Sequence, residues 1–217
     1  LDGAGQNGGD NNVVYQIVGQ PLGVFYLPHC KGLVKNENGS YFYDIEDLDH
    51  NGNVDLSDGG DRYIAGQATP KVILGSNISF RYKNYYVSIQ MNGAFGHKIF
   101  NGTGLAYTSM ACFPDYNVLK DAPKKNIVDQ RVSDYWLEKG DYLNFEHLTL
   151  GYNVPLRSKL IRSLRVSCNI SNIGTITGYK GLTPMINSYV VNSTMGIDDK
   201  RNYPLYRTYS LGLSVQF

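Results

Sequence analysis

A strict two-residue alternation of apolar and polar side chains constrains this chain more than any other feature. In the last eleven residues, 207–217, the even-numbered positions are occupied by small or polar residues. The other parity is apolar and comprises Tyr209, Leu211, Leu213, Val215 and Phe217. Successive side chains of a β-strand point to opposite faces, so this segment is predicted to be a strand with one apolar face. Such a strand suits either a soluble sandwich or a membrane barrel.

Four earlier stretches repeat the alternation. Residues 72–82 and 85–95 are separated by Lys83-Asn84, which predicts an antiparallel hairpin. Residues 142–154 form a third run, and its irregularity at Glu146–His147 predicts a β-bulge. A fourth run covers residues 164–171. The polar parity of these runs includes Ser88, Gln90, Asn92, Arg165 and Asn169.

The lengths of the connections distinguish a barrel from a sandwich. Short connections at 83–84 and 155–161 alternate with long ones at 96–140 and 172–206. Short turns at one end and long loops at the other are typical of outer-membrane barrels. The runs are about ten residues long, as a tilted membrane strand requires, whereas soluble strands average about five or six. Five clear strands are fewer than the roughly eight that a closed barrel needs.

We therefore predict an all-β fold that supplies the C-terminal strands of a large antiparallel transmembrane β-barrel. These strands alone make an incomplete barrel. Its short turns are predicted to be periplasmic and its long loops extracellular. Residues 1–70 are predicted to be a loop-rich region with short strands at 13–18, 24–27 and 41–45, and residues 71–217 the barrel strands. The segment 207–217 is predicted to be the closing strand, with its five apolar residues facing lipid.

Composition excludes several classes of function. Charged residues make up 18% of the chain and the net charge is +1, so a nucleic-acid partner is not expected. No stretch approaches the roughly 20 apolar residues of a membrane-spanning helix, which leaves barrel strands open. No nucleophile elbow, phosphate-binding loop or dinucleotide fingerprint occurs, so we predict that the chain is not an enzyme.

One acidic segment fits the spacing of a calcium-binding loop. The glycine at its sixth position, Gly52, permits the sharp turn that brings oxygen ligands together around a hard cation. The candidate ligands are Asp47, Asp49, Asn51, Asn53, Asp55 and Asp58, with Asn53 contributing its backbone carbonyl. No amphipathic helices flank the loop, so any Ca²⁺ there is expected to order the loop. An acidic surface turn without metal is the other interpretation.

Several segments, taken in order, resemble the C-terminal region of SusC/RagA-type TonB-linked outer-membrane transporters of the Bacteroidota. Individually they are short, and the ordered set carries the resemblance. They are residues 19–26 (GQPLGVFY), the acidic loop with 61–66 (DRYIAG) and Pro70, 133–136 (SDYW) with 140–143 (GDYL), 148–152 (LTLGY), Asn172, 179–181 (YKG), 196–198 (GID) and 203–204 (YP).

The resemblance implies a barrel of about 22 strands with an upstream plug, importing glycans or peptides across the outer membrane of a Gram-negative bacterium. It implies energy from TonB, ExbB and ExbD through upstream regions, and a SusD-like surface lipoprotein as partner. The polar-parity residues would line the lumen. Trp136 and Tyr179 are candidates for stacking on a ligand. The alternative is a secreted calcium-binding β-sandwich that acts as an adhesion or carbohydrate-binding module.

Overall fold

The computed structural model describes residues 12–57, 59–157, 160–186, 195–200 and 203–217. It divides into two compact units, each assembled from three separate stretches of chain. The first unit draws on residues 1–70, 96–140 and 179–203, and the second on 71–95, 141–178 and 204–217. This division differs from a single split at residue 70, because the two long connections fold with the N-terminal region.

Thirteen strands and a few short helices make up the described secondary structure. None of these helices is long and apolar enough to span a membrane. The helices are α1 (Gly102–Thr108) and α2 (Ala122–Lys125), with 3-10 turns at Met110–Cys112 and Asp134–Trp136. The strands are β1 (Val14–Tyr15), β2 (Val24–Leu27), β3 (Cys30–Lys35), β4 (Tyr41–Ile45), β5 (Tyr63–Gln67), β6 (Val72–Tyr82), β7 (Tyr85–Phe95), β8 (Lys98–Asn101), β9 (Leu137–Lys139), β10 (Tyr142–Val154), β11 (Ser163–Thr177), β12 (Ile197–Asp198) and β13 (Thr208–Gln216).

The second unit is one five-stranded antiparallel sheet in the order β13-β11-β10-β7-β6. Each strand pairs with the next strand of the unit along the chain, which is the meander of an up-and-down barrel wall. The hairpin predicted around Lys83-Asn84 is confirmed, and Lys83 adopts the left-handed conformation (φ 51°) that a tight turn requires.

The register of this sheet places residues of similar polarity next to one another across the strands. One row across all five strands is polar and consists of Ser79, Ser88, Thr149, Asn169 and Ser210. The row next to it, on the opposite face, is apolar and consists of Phe80, Val87, Leu150, Cys168 and Leu211. Because the side-chain period of a strand is two, this register gives the whole sheet one polar and one apolar face.

A bulge in β10 preserves both faces. The register shifts between Phe145 and His147, as the sequence irregularity predicted, and Glu146 is the extra residue. Phe145 remains opposite Met91 on the apolar face, while His147 lies opposite Gln90 on the polar face. The parity of the polar positions therefore changes from even to odd within one strand.

The first unit has a core of its own. It contains a three-stranded sheet (β1-β2-β5), the hairpin β3–β4, and a second three-stranded sheet (β12-β8-β9). Segment 96–140 was expected to be a loop, but it supplies β8, β9, both helices and much of the core. The core consists of Val13, Phe25, Leu27, Tyr43, Ile45, Ala65, Ala68, Phe100, Leu105, Ile127, Val132, Trp136 and Ile197.

A β-sandwich is not what the strands form. In a sandwich the apolar faces of two sheets bury each other. Here the apolar face of the five-stranded sheet is largely exposed, and Leu211 retains 85% of its accessible surface. The sandwich alternative is therefore wrong.

Candidate functional site

The five polar positions expected to line a lumen, Ser88, Gln90, Asn92, Arg165 and Asn169, all lie on the polar face of the sheet. Short hydrogen bonds connect this face across strands. Ser79 Oγ donates to Ser88 Oγ (2.9 Å), Thr149 Oγ1 donates to Asn169 Oδ1 (2.9 Å), and Asn92 Nδ2 donates to Glu146 Oε2 (3.1 Å). Hydroxyl and amide groups thus dominate the centre of the face.

The apolar side chains of β13 lie on the other face. Tyr209, Leu211, Leu213 and Val215 pair with Ile170, Cys168, Val166 and Leu164 of β11. Phe217 follows the strand directly and is 78% exposed. Together with the apolar rows of the other strands, they form an exposed hydrophobic face much broader than isolated surface residues would give.

A cluster of polar-face side chains lies at the end of the sheet near the short turns. Tyr86 stands opposite Gly151, and a Cβ on that glycine would lie only 1.8 Å from the tyrosine ring, so the ring rests directly on the glycine. The guanidinium of Arg165 lies over the same ring at 5.3 Å and donates from Nε to Asn153 Oδ1 (2.9 Å). We call Arg81, Tyr86, Asn153 and Arg165 the arginine cluster, because Arg81 pairs with Tyr86 in the register.

The acidic loop closes around backbone amides as its spacing predicts. Gly52 has a φ of +89° and donates its N–H to Asp47 Oδ2 (2.8 Å). Asn51 donates its N–H to Asp49 Oδ1 (3.0 Å), and its own side-chain oxygen accepts from Asn53 (2.8 Å). The loop therefore folds back on itself and turns the side-chain oxygens of Asp47 and Asp49 inward.

Asp61, which the spacing did not include, completes the acidic cluster. Oxygens of Asp47, Asp49 and Asp61 lie within 4.8 Å of one another. Asp55 lies outside this cluster, with its carboxylate accepting from Ser57, and Asp58 lies outside the described residues. In the sequence, residues 61–66 contributed to the family resemblance, but Asp61 was not identified as a candidate ligand.

Backbone donors favour the ionised forms of Asp61 and Asp47. Asp61 is buried and accepts from the N–H groups of Asp55 (2.7 Å), Leu48 (2.6 Å) and Asp49 (3.2 Å). The Asp55 N–H contributes most to holding the pKa of Asp61 below its ordinary value. The N–H of Gly52 does the same for the pKa of Asp47. Ionised oxygens gathered in this way suit a hard divalent cation.

Trp136 and Tyr179, the two candidates for ligand stacking, are buried. Trp136 is 5% exposed and donates from Nε1 to Tyr43 Oη (2.9 Å). Tyr179 is 6% exposed and donates its hydroxyl to Asp198 Oδ2 (2.8 Å). Neither ring has a free face, so the stacking prediction is wrong for both, and each instead stabilises the first unit.

The long strands, their meander order and their division into a polar and an exposed apolar face define the wall of an antiparallel membrane β-barrel. The sheet does not close on itself. Comparison with known proteins then shows which barrels the chain is similar to.

No family model matches the sequence. The chain is 27% identical to TonB-dependent receptor P3 of Formosa agariphila, over 92% of this chain and 22% of that protein. It is also 27% identical to TonB-dependent receptor SusC of Bacteroides thetaiotaomicron, over 97% of this chain and 21% of that protein. The chain thus spans about a fifth of the length of these curated relatives.

Solved structures agree on the fold. The RagAB peptide importer in its closed-closed state matches with a TM-score of 0.66 and 15% identity, over 95% of this chain and 25% of that chain. Its open-open state matches with a TM-score of 0.66 and 18% identity, over 96% of this chain and 24% of that chain. The curated relatives confirm the resemblance to SusC/RagA-type TonB-dependent receptors, and the solved structures share the fold.

Proposed function

We propose that this chain contributes part of the barrel wall of a TonB-dependent importer in the outer membrane of a Gram-negative bacterium of the Bacteroidota. The cargo would be glycans or peptides, and the peptide option draws support from the RagAB structures, which are of a peptide importer. A SusD-like surface lipoprotein would be the partner. TonB, ExbB and ExbD would supply energy through regions outside this chain. The protein is a transporter and not an enzyme.

The exposed apolar face of the second unit is the observation that carries this proposal. It extends across five strands of 9 to 15 residues. An exposed apolar surface of that extent is unfavourable in water and favourable in lipid. The opposite face offers hydroxyl and amide groups, including Ser88, Gln90, Asn92 and Asn169, which suit a hydrated lumen.

Neighbouring residues of β13 give a matched test. In the complete protein, Leu211→Lys puts a charge on the proposed lipid face and is expected to cost about 2–4 kcal/mol near the bilayer midplane. Ser210→Lys makes the same charge change on the proposed lumen face and should be tolerated. The measurement is the amount of folded, heat-modifiable protein in the outer-membrane fraction. Equal assembly of both variants would contradict the assignment of the faces.

Energised import requires a separate test. Cells that carry the complete protein are supplied with labelled glycan and peptide mixtures, with and without functional TonB. Uptake is expected to stop when TonB is absent and to fall when the gene of the surface lipoprotein is deleted. Uptake that persists without TonB would contradict the proposed mechanism while leaving the barrel assignment intact.

The acidic loop is proposed to hold a structural Ca²⁺. Asp47, Asp49 and Asp61 would provide carboxylate oxygens, and the ion would offset the electrostatic repulsion within this group of carboxylates. Addition of Ca²⁺, but not of Mg²⁺, is expected to protect the loop from proteolysis in the complete protein. Asp49→Asn should abolish that protection, whereas Asp55→Asn, outside the cluster, should retain it. Protection that survives Asp49→Asn would exclude the site.

A further inference from the structure

The second unit carries a charge distribution that differs from that of the whole chain. The complete sequence is nearly balanced, with a net charge of +1. Within the second unit, residues 71–95, 147–178 and 204–217 contain no aspartate or glutamate. Its two acidic residues lie toward the long connections: Asp141 directly precedes β10, and Glu146 lies in the first half of that strand. All charged side chains at the turn-side end of the sheet are therefore basic.

Arg165 is held in place on the polar face of that end. Its Nε donates to Asn153 Oδ1 at 2.9 Å, and its Cζ lies over the Tyr86 ring, 5.3 Å from the ring centroid. The terminal nitrogens make no hydrogen bond within the described residues. A guanidinium fixed through Nε and through its stack on a ring leaves its two terminal nitrogens for an oxyanion, the geometry in which arginine binds carboxylates bidentately.

Arg81 adds a second cation on the other side of Tyr86. The register places Arg81 directly opposite Tyr86, so Tyr86 stands between the two arginines on the polar face. Both arginines are exposed, and neither forms an ion pair with a carboxylate of the described part of the chain. Uncompensated cations on a surface shaped by neighbouring side chains attract anions and raise their local concentration.

We infer that the arginine cluster binds the anionic group, a carboxylate or a sulfate, of a solute that passes along the polar face. This inference rests on the proposed function, under which the polar face lines the import path. The neutral hydroxyl and amide rows next to the cluster would accommodate the uncharged part of the same solute. The chain therefore favours an acidic oligomer over a neutral one.

The test compares charged and neutral members of matched probe pairs on the purified complete protein. The pairs are tetragalacturonate with its methyl ester, a sulfated galacto-tetrasaccharide with its desulfated form, and an aspartate-containing pentapeptide with its asparagine counterpart. The charged member of at least one pair is expected to bind more tightly, with an affinity that falls as salt is raised. The double variant Arg81→Gln, Arg165→Gln should weaken that binding about tenfold, the loss expected for one charge-assisted hydrogen bond.

Arg157→Gln is the control. Arg157 is exposed and lies in the turn between β10 and β11, outside the arginine cluster. Its substitution therefore removes one positive charge and leaves the cluster unchanged. It should leave the charged preference unchanged. A wild-type protein with no preference in any pair, or a preference that survives the double variant, would overturn the inference. Loss of folded protein with an unchanged preference would also overturn it, because the arginines would then hold the protein's own chain. TonB-dependent uptake that continues in the double variant would leave the proposed function standing in each case.

Discussion

Alanine at Gly151 provides a quantitative test of the packing on the polar face. Its Cβ would lie 1.8 Å from Tyr86 Cε1 and 2.1 Å from Cζ, so the ring has to leave its position over β10. The ring would then lose its cross-strand contact, which contributes about 0.2–1 kcal/mol. It would also lose the Arg165 stack, which contributes about 0.5–1 kcal/mol at an exposed site.

A second effect opposes this loss. Glycine in a strand interior is destabilising by about 0.5–1 kcal/mol relative to alanine. Gly151→Ala alone should therefore be close to neutral or destabilising by up to about 1.5 kcal/mol. In a Tyr86→Ala background the clash is absent, so the same substitution should stabilise the protein. The sign of the effect thus depends on the residue at position 86.

The assay is a double-mutant cycle on the complete protein, with folded and unfolded forms separated by the gel mobility of unheated samples during a denaturant titration. The expected coupling between Gly151 and Tyr86 is about 0.7–2 kcal/mol, the sum of the lost contacts. Gly174→Ala in β11 is the control, because a Cβ there meets nothing within 4 Å. Additive effects at positions 86 and 151 would refute the proposed contact.

Three further outcomes concern the first unit. Phe100→Ala removes a fully buried ring and should lower the free energy of unfolding by about 3–5 kcal/mol, measured by proteolysis of the unit under native conditions. Tyr179→Phe keeps the ring but removes a donor to the buried Asp198 carboxylate, so a loss of about 1–3 kcal/mol is expected in the same assay, and an unchanged value would mean that water replaces the hydroxyl. Because the pKa of Asp61 is depressed, its contribution should be fully present above about pH 4 and lost as the pH falls through the lowered value. Hydrogen exchange of the Asp55 amide should report that loss, and Asp61→Asn should remove its pH dependence.

The long strands could be predicted because their signal is local. Each of the runs 72–82 and 85–95 shows its alternation without reference to any other part of the chain, and the two residues between them fix the pairing. β5 shows the opposite case. It has only five residues, includes Gly66, and pairs with β2, about forty residues earlier in the chain, through an irregular register. Nothing local identifies it as a strand.

The site residues that were misassigned also depend on contacts between distant parts of the chain. Trp136 is followed by Leu137 and then by two charged residues, and its buried Nε1 donates to Tyr43, which lies 93 positions earlier in the chain. In the acidic loop the spacing proposed Asp47 and Asp49 as ligands, and their oxygens lie within 4.8 Å of each other. The third carboxylate is Asp61, because the turn at Gly59 (φ +92°) and Gly60 brings the chain back beneath the loop, and a fixed twelve-residue template does not include it.

The bulge at Glu146 adds one residue to β10 without exchanging the two faces of the strand. Phe145 and His147 would alternate correctly as direct neighbours, so residue 146 is an extra position in the alternation, although its carboxylate accepts from Asn92 on the polar face (3.1 Å). The partner strand compensates at the same level, where Asn172 takes a left-handed conformation and its side chain donates to Tyr206 O (2.9 Å). Position 146 is therefore a residue whose removal would leave every other side chain of the strand on its present face, although the polar face would lose the hydrogen bond that Asn92 donates to Glu146.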